Sequence, residues 1–121
     1  MKFEFDNNTP IYIQLVAQLR MHIISGRLTA GERIPSVREL AMLTKVNPNT
    51  MQKALSELES MGLIHTERTN GKFVTEDMAL IDRLKKEYAD ELTRKYLSHM
   101  EELGFDNNES IEYLKGFGGD K

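Results

Sequence analysis

Cysteine is absent from this sequence of 121 residues. Its absence excludes a disulfide scaffold, a thiolate zinc site and a cysteine nucleophile, and it agrees with a reducing compartment. No apolar run approaches the roughly 20 residues of a membrane-spanning helix, and Glu4 and Asp6 stand where a signal peptide has basic residues. We therefore expect a soluble, cytoplasmic protein with no membrane partner.

Signals of catalysis are also scarce. The three histidines fall on separate predicted elements without metal-ligand spacing, and we interpret them as packing or surface residues: His22, His65 and His99. No acid, base and nucleophile can be grouped from the sequence. The only clustered glycines lie in the tail and not in a phosphate-binding loop. The sequence thus predicts no enzyme activity, no metal and no cofactor.

The sequence has little excess of either charge, with a net charge of −3. This total conceals a difference in charge between the two parts of the chain. Residues 1–76 carry nine Lys or Arg against eight Asp or Glu, whereas residues 77–121 carry seven against eleven. Between residues 33 and 56, four basic residues accompany a single acid, Glu39. Docking on DNA depends on the local field, so a nucleic-acid partner is not excluded.

Two helix starts lie close together in residues 31–64. Ser36 and Glu39, three residues later, form a capping box at the first start. At the second start Asn47 is an N-cap and Pro48 is the first helical residue, where its missing N–H costs nothing. We predict that the first helix spans residues 37–43. Two short helices around a tight connection indicate a helix-turn-helix, a motif that contacts DNA.

The second helix of this motif has one apolar face. Val46, just before the N-cap, and Met51 form a hydrophobic staple that fixes the angle at which the chain enters the helix. Gly62 stands where a left-handed residue commonly ends a helix. The face predicted to be buried consists of Met51, Ala54, Leu55, Leu58 and Met61.

Another helix and a hairpin flank the motif. Thr9 and Pro10 predict the N-cap and first residue of a helix whose apolar positions recur up to Ser25-Gly26. After the motif, residues 63–66 and 72–75 favour β-strands around Asn70-Gly71, a strong hairpin signal. Three helices followed by a hairpin is the element order of a winged helix.

The C-terminal part, residues 77–121, is predicted to be helical and to form a region separate from the winged helix of residues 1–76. Apolar residues predict a helix of about 25 residues that ends at Gly104, then a short helix over residues 108–114 and a glycine-rich tail that frays. The fold class is therefore mainly α with a small β-hairpin, a winged helix-turn-helix followed by two C-terminal helices.

The apolar stripe of the long helix is wider than contact with a small winged domain needs. One interpretation is that the helix packs only on the first helix of its own chain. The other, which we favour, is two-fold association, because a half-covered apolar helix is an exposed patch. The residues predicted to form this dimer interface are Ile81, Leu84, Tyr88, Leu92, Tyr96, Met100 and Leu103.

Candidate DNA contacts come from the second helix of the motif. Its positions outside the core carry amide, hydroxyl and cationic groups, which suit base edges and phosphates: Asn49, Thr50, Gln52, Lys53 and Ser56. Asn47 also lies at this end, and it either contacts DNA or only caps the helix. We favour capping for Asn47 and DNA contact for Asn49, Thr50 and Lys53.

Arg38 lies in the first turn of the preceding helix, where a cation opposes the helix dipole. This placement favours contact with an external anion, and the alternative is an ion pair with Glu39 or Glu32. Ser36 either caps only or also contacts a phosphate. Arg33 either contacts the DNA backbone or lies at the edge of the sheet.

The hairpin supplies the remaining candidates. Thr69, Asn70, Gly71 and Lys72 are predicted to form its tip, within reach of an adjacent groove. Turn chemistry alone explains Asn70 and Gly71. Lys72, and after it Arg68, are therefore the stronger candidates for DNA contact in the wing.

Four segments carry a resemblance to a known family: PIYIQL, GRLTAGERIPSVRELA, NPNTMQKALSELESMGLI and NGKFV. Together they resemble the GntR family of bacterial transcription regulators over residues 9–75. The short helical C-terminal part is similar to the YtrA-type subfamily, in which about two helices used for dimerisation replace a larger effector domain.

The resemblance implies a homodimeric winged helix that binds a palindromic operator in double-stranded DNA and usually represses its own operon, often one for an ABC transporter. It implies that Ser36 and Arg38 contact phosphate or base, that Asn49, Thr50, Gln52 and Lys53 enter the major groove, and that Gly71 and Lys72 serve the wing. Many relatives have Arg where this chain has Lys53. Because Lys cannot form a planar two-pronged bond to guanine, Lys53 contacts either a base or a phosphate.

The leading hypothesis is thus a dimeric, sequence-specific DNA-binding repressor. One rival is a winged-helix module that binds protein, and another is the DNA-binding piece of a fused enzyme, which we rank last. An unknown small-molecule effector would have to use the dimer interface or a crevice between wing and helices, because the residues after the wing are too few to enclose a pocket.

Overall fold

The computed structural model describes residues 2–118. Within that range the chain forms five helices and one antiparallel hairpin, which confirms the predicted winged helix-turn-helix followed by two C-terminal helices. In chain order the elements are α1 (Ile11–Ile24), α2 (Val37–Thr44), α3 (Pro48–Ser60), β1 (Ile64–Glu67), β2 (Gly71–Val74), α4 (Met78–Glu102) and α5 (Asn107–Gly118).

The chain divides into two compact units, with the division between Leu84 and Lys85 inside α4. The first unit holds the winged helix and the start of α4, and the second holds the rest of α4 together with α5. The predicted division of the chain into a DNA-binding domain of residues 1–76 and a dimerisation region of residues 77–121 stays a prediction.

The core of the first unit lies where α1 and α2 pack on α3. Both predicted apolar faces are confirmed, because α1 and α3 place their periodic side chains in this core with almost no exposure. Met61 is only half-buried at the end of α3. The fully covered members are Leu15, Leu19, Ile23, Met51, Ala54, Leu55 and Leu58.

Local capping determines where two of the helices begin. The Ser36 hydroxyl accepts from the Glu39 N–H at 3.1 Å, and the Ser36 N–H donates to Glu39 Oε1 at 3.2 Å, so the capping box is confirmed. Asn47 Oδ1 accepts from the Asn49 N–H at 2.8 Å. The predicted cap of α1 is wrong: Pro10 itself is the N-cap residue, and the helix begins one residue later without a side-chain cap.

Each strand of the hairpin lies one residue nearer the turn than predicted, at residues 64–67 and 71–74. The strands pair in the register Ile64 with Val74 and Glu67 with Gly71, so the connection is the three-residue turn 68–70. Gly71, at φ +106°, is the first residue of β2 and not part of the turn. On its other edge β2 pairs with the segment before α2, through the Ile34 N–H to the Lys72 carbonyl oxygen at 2.9 Å.

The long helix α4 has the predicted extent and ends before Gly104, whose φ is +99°. The last helix is longer than predicted at both ends, from Asn107 to Gly118. Its start is capped by the Asp106 carboxylate, which accepts from the Glu109 N–H at 2.8 Å. Gly116 and Gly118 are therefore helical, which corrects the predicted fraying there, and Gly119 lies outside the described residues. None of the helices in residues 2–118 has the length and apolar character to cross a membrane.

Candidate nucleic-acid interface

The face of α3 that points away from the core presents polar side chains to solvent. Asn49, Gln52, Lys53 and Ser56 are all exposed. Gln52 makes only a long hydrogen bond, from Nε2 to the Ser56 hydroxyl at 3.4 Å. Because Asn49 is exposed near the start of α3, its amide can contact a partner. The N-terminal residues of a recognition helix contact base edges in the major groove in this way.

Thr50 lies at one edge of this face and is half-buried. Together with Phe5, Ile11 and the turn of residues 45–47, it lines a crevice of about 250 Å³. Its hydroxyl is consequently more restricted than the Asn49 amide. The turn beside it contains Lys45 at φ +58°, a left-handed conformation that ends α2 and directs the chain into α3.

Lys53 on α3 contacts Tyr12 on α1. Its Nζ lies 4.5 Å from the centroid of the Tyr12 ring, within the range of a cation–π interaction. Desolvation, followed by the charge and hydrogen bond of Glu57, raises the pKa of the Tyr12 hydroxyl above its ordinary value. Tyr12 is therefore neutral at physiological pH, and its ring contacts the Lys53 ammonium in the protein without DNA.

Arg38 projects from the first turn of α2 and is exposed. The carboxylates that were its alternative partners are engaged elsewhere: Glu32 accepts from the Thr29 hydroxyl at 2.9 Å, and Glu39 completes the capping box with Ser36. The Ser36 backbone N–H, and then its hydroxyl, hold the pKa of Glu39 below its ordinary value. Among residues 2–118, no carboxylate pairs with Arg38, whose guanidinium remains available to an anion.

A groove of about 430 Å³ separates the start of α2 from the hairpin. Three arginines line it, Arg33 from the segment before α2, Arg38 from the first turn of α2 and Arg68 from the hairpin turn. The free N–H groups at the start of α2 add partial positive charge at the same place. With three arginines against one acid, Glu67, the lining of this groove suits a phosphate.

Arg33 connects the edge segment to the hairpin turn. Its Nε donates to the Asn70 carbonyl oxygen at 2.7 Å, and its backbone forms a β-bridge with Phe73. A Cβ on Gly71 would lie 3.0 Å from Arg33 Nε. Arg33 is thus at the sheet edge, one of the two predicted roles, and Gly71 leaves room for its side chain.

The prediction that Lys72 lies at the tip of the wing is wrong. Because the turn is only residues 68–70, Lys72 is the second residue of β2 and pairs with Thr66. Its ammonium donates to the Thr66 hydroxyl at 2.8 Å and lies 3.5 Å from Glu59 Oε1 on α3. The exposed turn consists of Arg68 and the two predicted tip residues Thr69 and Asn70.

Sequence reasoning missed three side chains of this surface: Tyr12, Glu57 and Glu59. Each acts through a contact with another element, and none stands at a spacing that local rules recognise. The only available signal was the charge of Glu59 on the same helix as the candidate DNA contacts.

The predicted dimer stripe divides into covered and exposed parts. Ile81 is buried in the core of the first unit, where Leu84 packs beside it. In the second unit the Tyr96 hydroxyl donates to the Ser110 carbonyl oxygen at 2.6 Å. Tyr88 and Met100 are half-buried, while Leu92 and Leu103 are 61% and 74% exposed.

The histidines do not assemble a site. His22 is buried, its Nδ1 lies 2.7 Å from the Gln18 carbonyl oxygen, and its ring stacks on Phe3. His65 is an exposed residue of β1. Over the described part of the chain, no group of three or more His, Cys, Asp or Glu residues is arranged to hold a metal ion.

Known proteins resemble both the sequence and this arrangement. The family model of the bacterial regulatory proteins of the gntR family matches residues 11–74. YhcF of Bacillus subtilis (strain 168), an uncharacterized HTH-type transcriptional regulator, is 38% identical over 117 residues, which are 97% of each chain. The HTH-type transcriptional repressor YtrA of the same strain is 42% identical over 71 residues, 59% of this chain and 55% of the repressor.

Two solved structures extend the comparison. A GntR family transcriptional regulator from Listeria monocytogenes is 40% identical and superposes with a TM-score of 0.84, covering 93% of this chain and 98% of its own. The AraR DNA-binding domain in complex with operator ORX1 is 26% identical, with a TM-score of 0.56 over 62% of this chain and 96% of that domain.

Proposed function

Because this chain belongs to the GntR family of bacterial regulatory proteins, and is thus a DNA-binding transcription regulator and not an enzyme, we propose that it is a dimeric repressor acting on a palindromic operator in the cytoplasm. The observation that carries the proposal is the exposed Arg38, which lines the groove and has no carboxylate partner among residues 2–118. A cation left without a partner in the first turn of a helix is unfavourable unless an anion arrives.

The side chains divide by the chemistry they offer to DNA. Arg38, Ser36 and Arg68 line the groove and suit phosphates, which position a protein without reading sequence. Asn49 and Gln52 suit base edges, because amides bond both a donor and an acceptor in the major groove. Thr50 and Asn47 lie at the same end of α3.

Two basic side chains have more limited parts. Lys53 leaves Tyr12 to reach a phosphate or a base, and an ammonium serves either as a point charge. Arg33 and Gly71 contribute by holding the hairpin turn, and Lys72 reaches the DNA backbone only if it leaves Glu59.

Dimerisation through residues 77–121 is supported by exposed apolar side chains that the single chain does not cover. Leu92 is exposed on α4 and Leu103 just after its end, and α5 adds four more large residues: Ile111, Tyr113, Leu114 and Phe117. An isolated patch of this kind favours a second copy, since two-fold pairing covers it on both chains at once. Ile81 and Leu84 support the interface only indirectly, because they pack within their own chain.

The similarity to a repressor, YtrA, supports repression as the outcome of binding. We place the operator upstream of the protein's own operon, with an ABC transporter among the candidate genes. A small-molecule effector would act at the dimer interface or between wing and helices, where it shifts the spacing of the two DNA-binding domains.

The test is a binding titration of the full chain on the DNA upstream of its own gene, against random duplex of equal length. We expect tighter binding to the upstream DNA and a steep loss of affinity with salt, because several phosphates are neutralised. Equal affinity for both duplexes would overturn the operator proposal. Retention on neither duplex nor heparin at low salt would favour a module that binds protein.

A further inference from the structure

An ion pair joins the recognition helix α3 to the hairpin. Glu59 lies in the last turn of α3, and its Oε1 accepts a hydrogen bond from the Thr66 hydroxyl at 2.7 Å. The same hydroxyl accepts from Lys72 Nζ at 2.8 Å, and that ammonium lies 3.5 Å from Glu59 Oε1. Thr66 therefore connects the two charges as well as lying between them.

Within this ion pair, Lys72 is less exposed to solvent than Glu59. The side chain of Lys72 is 18% exposed and that of Glu59 is 43% exposed. The Thr66 hydrogen bond, and then the charges of Lys72 and His65, hold the pKa of Glu59 below its ordinary value. At neutral pH the carboxylate is thus ionised and cancels the charge that Lys72 would otherwise offer to DNA.

We propose that Glu59 is a positioning residue that holds Lys72 and the hairpin on α3, and so withholds one cation from indiscriminate contact with the DNA backbone. The inference rests on the proposed DNA-binding function and deepens it. A phosphate gains Lys72 only by displacing Glu59, so the ammonium adds little to binding on random duplex. The hairpin is also docked on the recognition helix before DNA arrives.

The central test is Glu59→Gln in the full chain, bound to random duplex over a range of salt concentrations. The amide oxygen of Gln still accepts from Thr66, but the negative charge is gone. We expect affinity for random duplex to rise several-fold and the slope of log K against log salt to steepen by about 0.9, the value for one more neutralised phosphate. The double variant Glu59→Gln/Lys72→Gln is expected to lose the steepening.

Glu67→Gln is the matched control, because it removes the same charge from the hairpin without touching Lys72. Glu67 instead lies near His65 and accepts from Asn70. We expect it to raise affinity through the general field without steepening the slope. An unchanged slope in Glu59→Gln, or a slope flattened by about 0.9 in Lys72→Gln alone, would overturn the proposal, the latter because Lys72 would already neutralise a phosphate.

A measurement without DNA separates this inference from the proposed function. Amide hydrogen exchange in β1 and β2 is expected to be faster in Glu59→Gln than in the parent and in Glu67→Gln, because the ion pair between Lys72 and α3 is lost and only the hydrogen bond from Thr66 remains. Equal exchange in all three proteins would overturn the positioning role even if DNA binding were intact. If the parent bound no duplex, the proposed function would fail while the exchange result still reported on Glu59.

Discussion

Arg33 Nε donates to the carbonyl oxygen of Asn70 at 2.7 Å, across 37 positions of sequence. This bond ties the segment before α2 to the turn of the hairpin. The two walls of the phosphate-attracting groove are therefore connected by one of the arginines that line it. A change at Arg33 should affect the position of the hairpin as well as the charge of the groove.

Arg33→Lys separates these two contributions. Lysine keeps the charge but lacks the Nε–H that reaches Asn70, whereas Arg33→Met removes both. If the position of the turn matters, both variants should weaken operator binding several-fold and speed amide exchange at residues 68–71. If only the charge matters, Arg33→Lys should bind like the parent, and that result would contradict the anchoring role. The measurements are a salt-resolved titration and hydrogen exchange.

Local signals predicted the helix starts well, because a cap is a relation between residues three or four apart. Ser36 with Glu39 and Asn47 with Pro48 fixed α2 and α3 to within a residue. The prediction for α1 was wrong because Pro10, which has no side chain that can accept, is the N-cap residue, and Thr9 outside the helix instead accepts from the Gln14 side chain at its carbonyl oxygen.

The wing was predicted less well, because its turn is three residues long and not the five residues between the predicted strands. Asn70-Gly71 was interpreted as the centre of the tip, yet Gly71 belongs to β2, which carries Lys72 down the strand to Thr66. The partner that captures Lys72 is Glu59, on another element. Contacts of that kind depend on how α3 and the hairpin pack, and no local pattern encodes them.

Glu39 should contribute to the acid stability of the first unit. Its folded pKa is lowered by Ser36, so the unfolded state binds more protons and stability rises with pH. The contribution is fully present above the unfolded pKa of about 4.3 and is lost as the pH falls through the lower folded value. Glu39→Gln keeps a side chain that can complete the capping box but does not titrate.

The measurement is urea denaturation of both proteins between neutral and acid pH. We expect the free energy of unfolding of the parent to fall more steeply below about pH 4.3 than that of Glu39→Gln. Glu32 and Glu59, whose pKa values are also lowered, are present in both proteins and cancel from the difference. Parallel curves would contradict the contribution of Glu39.

Leu92→Asp tests the dimer interface. Leu92 is 61% exposed in the single chain, so the substitution should leave the fold intact and place a charge in the proposed contact between copies. We expect dissociation to monomers at micromolar concentration by sedimentation, and weaker operator binding because two half-sites need two linked domains. Thr93→Asp is the control, since it adds the same charge one residue along, on a different side of α4.

A dimer that survives Leu92→Asp with operator affinity intact would assign the exposed side of α4 another role. A parent protein that sediments as a monomer would contradict the interface altogether. In that case the exposed residues of α5, such as Phe117 at 72%, would need a different partner.

Arg38→Ala and Asn49→Ala should fail in different ways. Loss of Arg38 removes a phosphate contact, so affinity for operator and random duplex should fall by the same factor, and the salt slope should decrease by about 0.9.

Loss of Asn49 removes a base contact, so discrimination between the operator and a mutated operator should fall by about 1–3 kcal/mol while the salt slope stays the same. Ser60→Ala, at the far end of α3, is the control for a change on the same helix. If Asn49→Ala weakened all duplexes equally, the start of α3 would contact the backbone, and sequence would have to be recognised elsewhere on the exposed face.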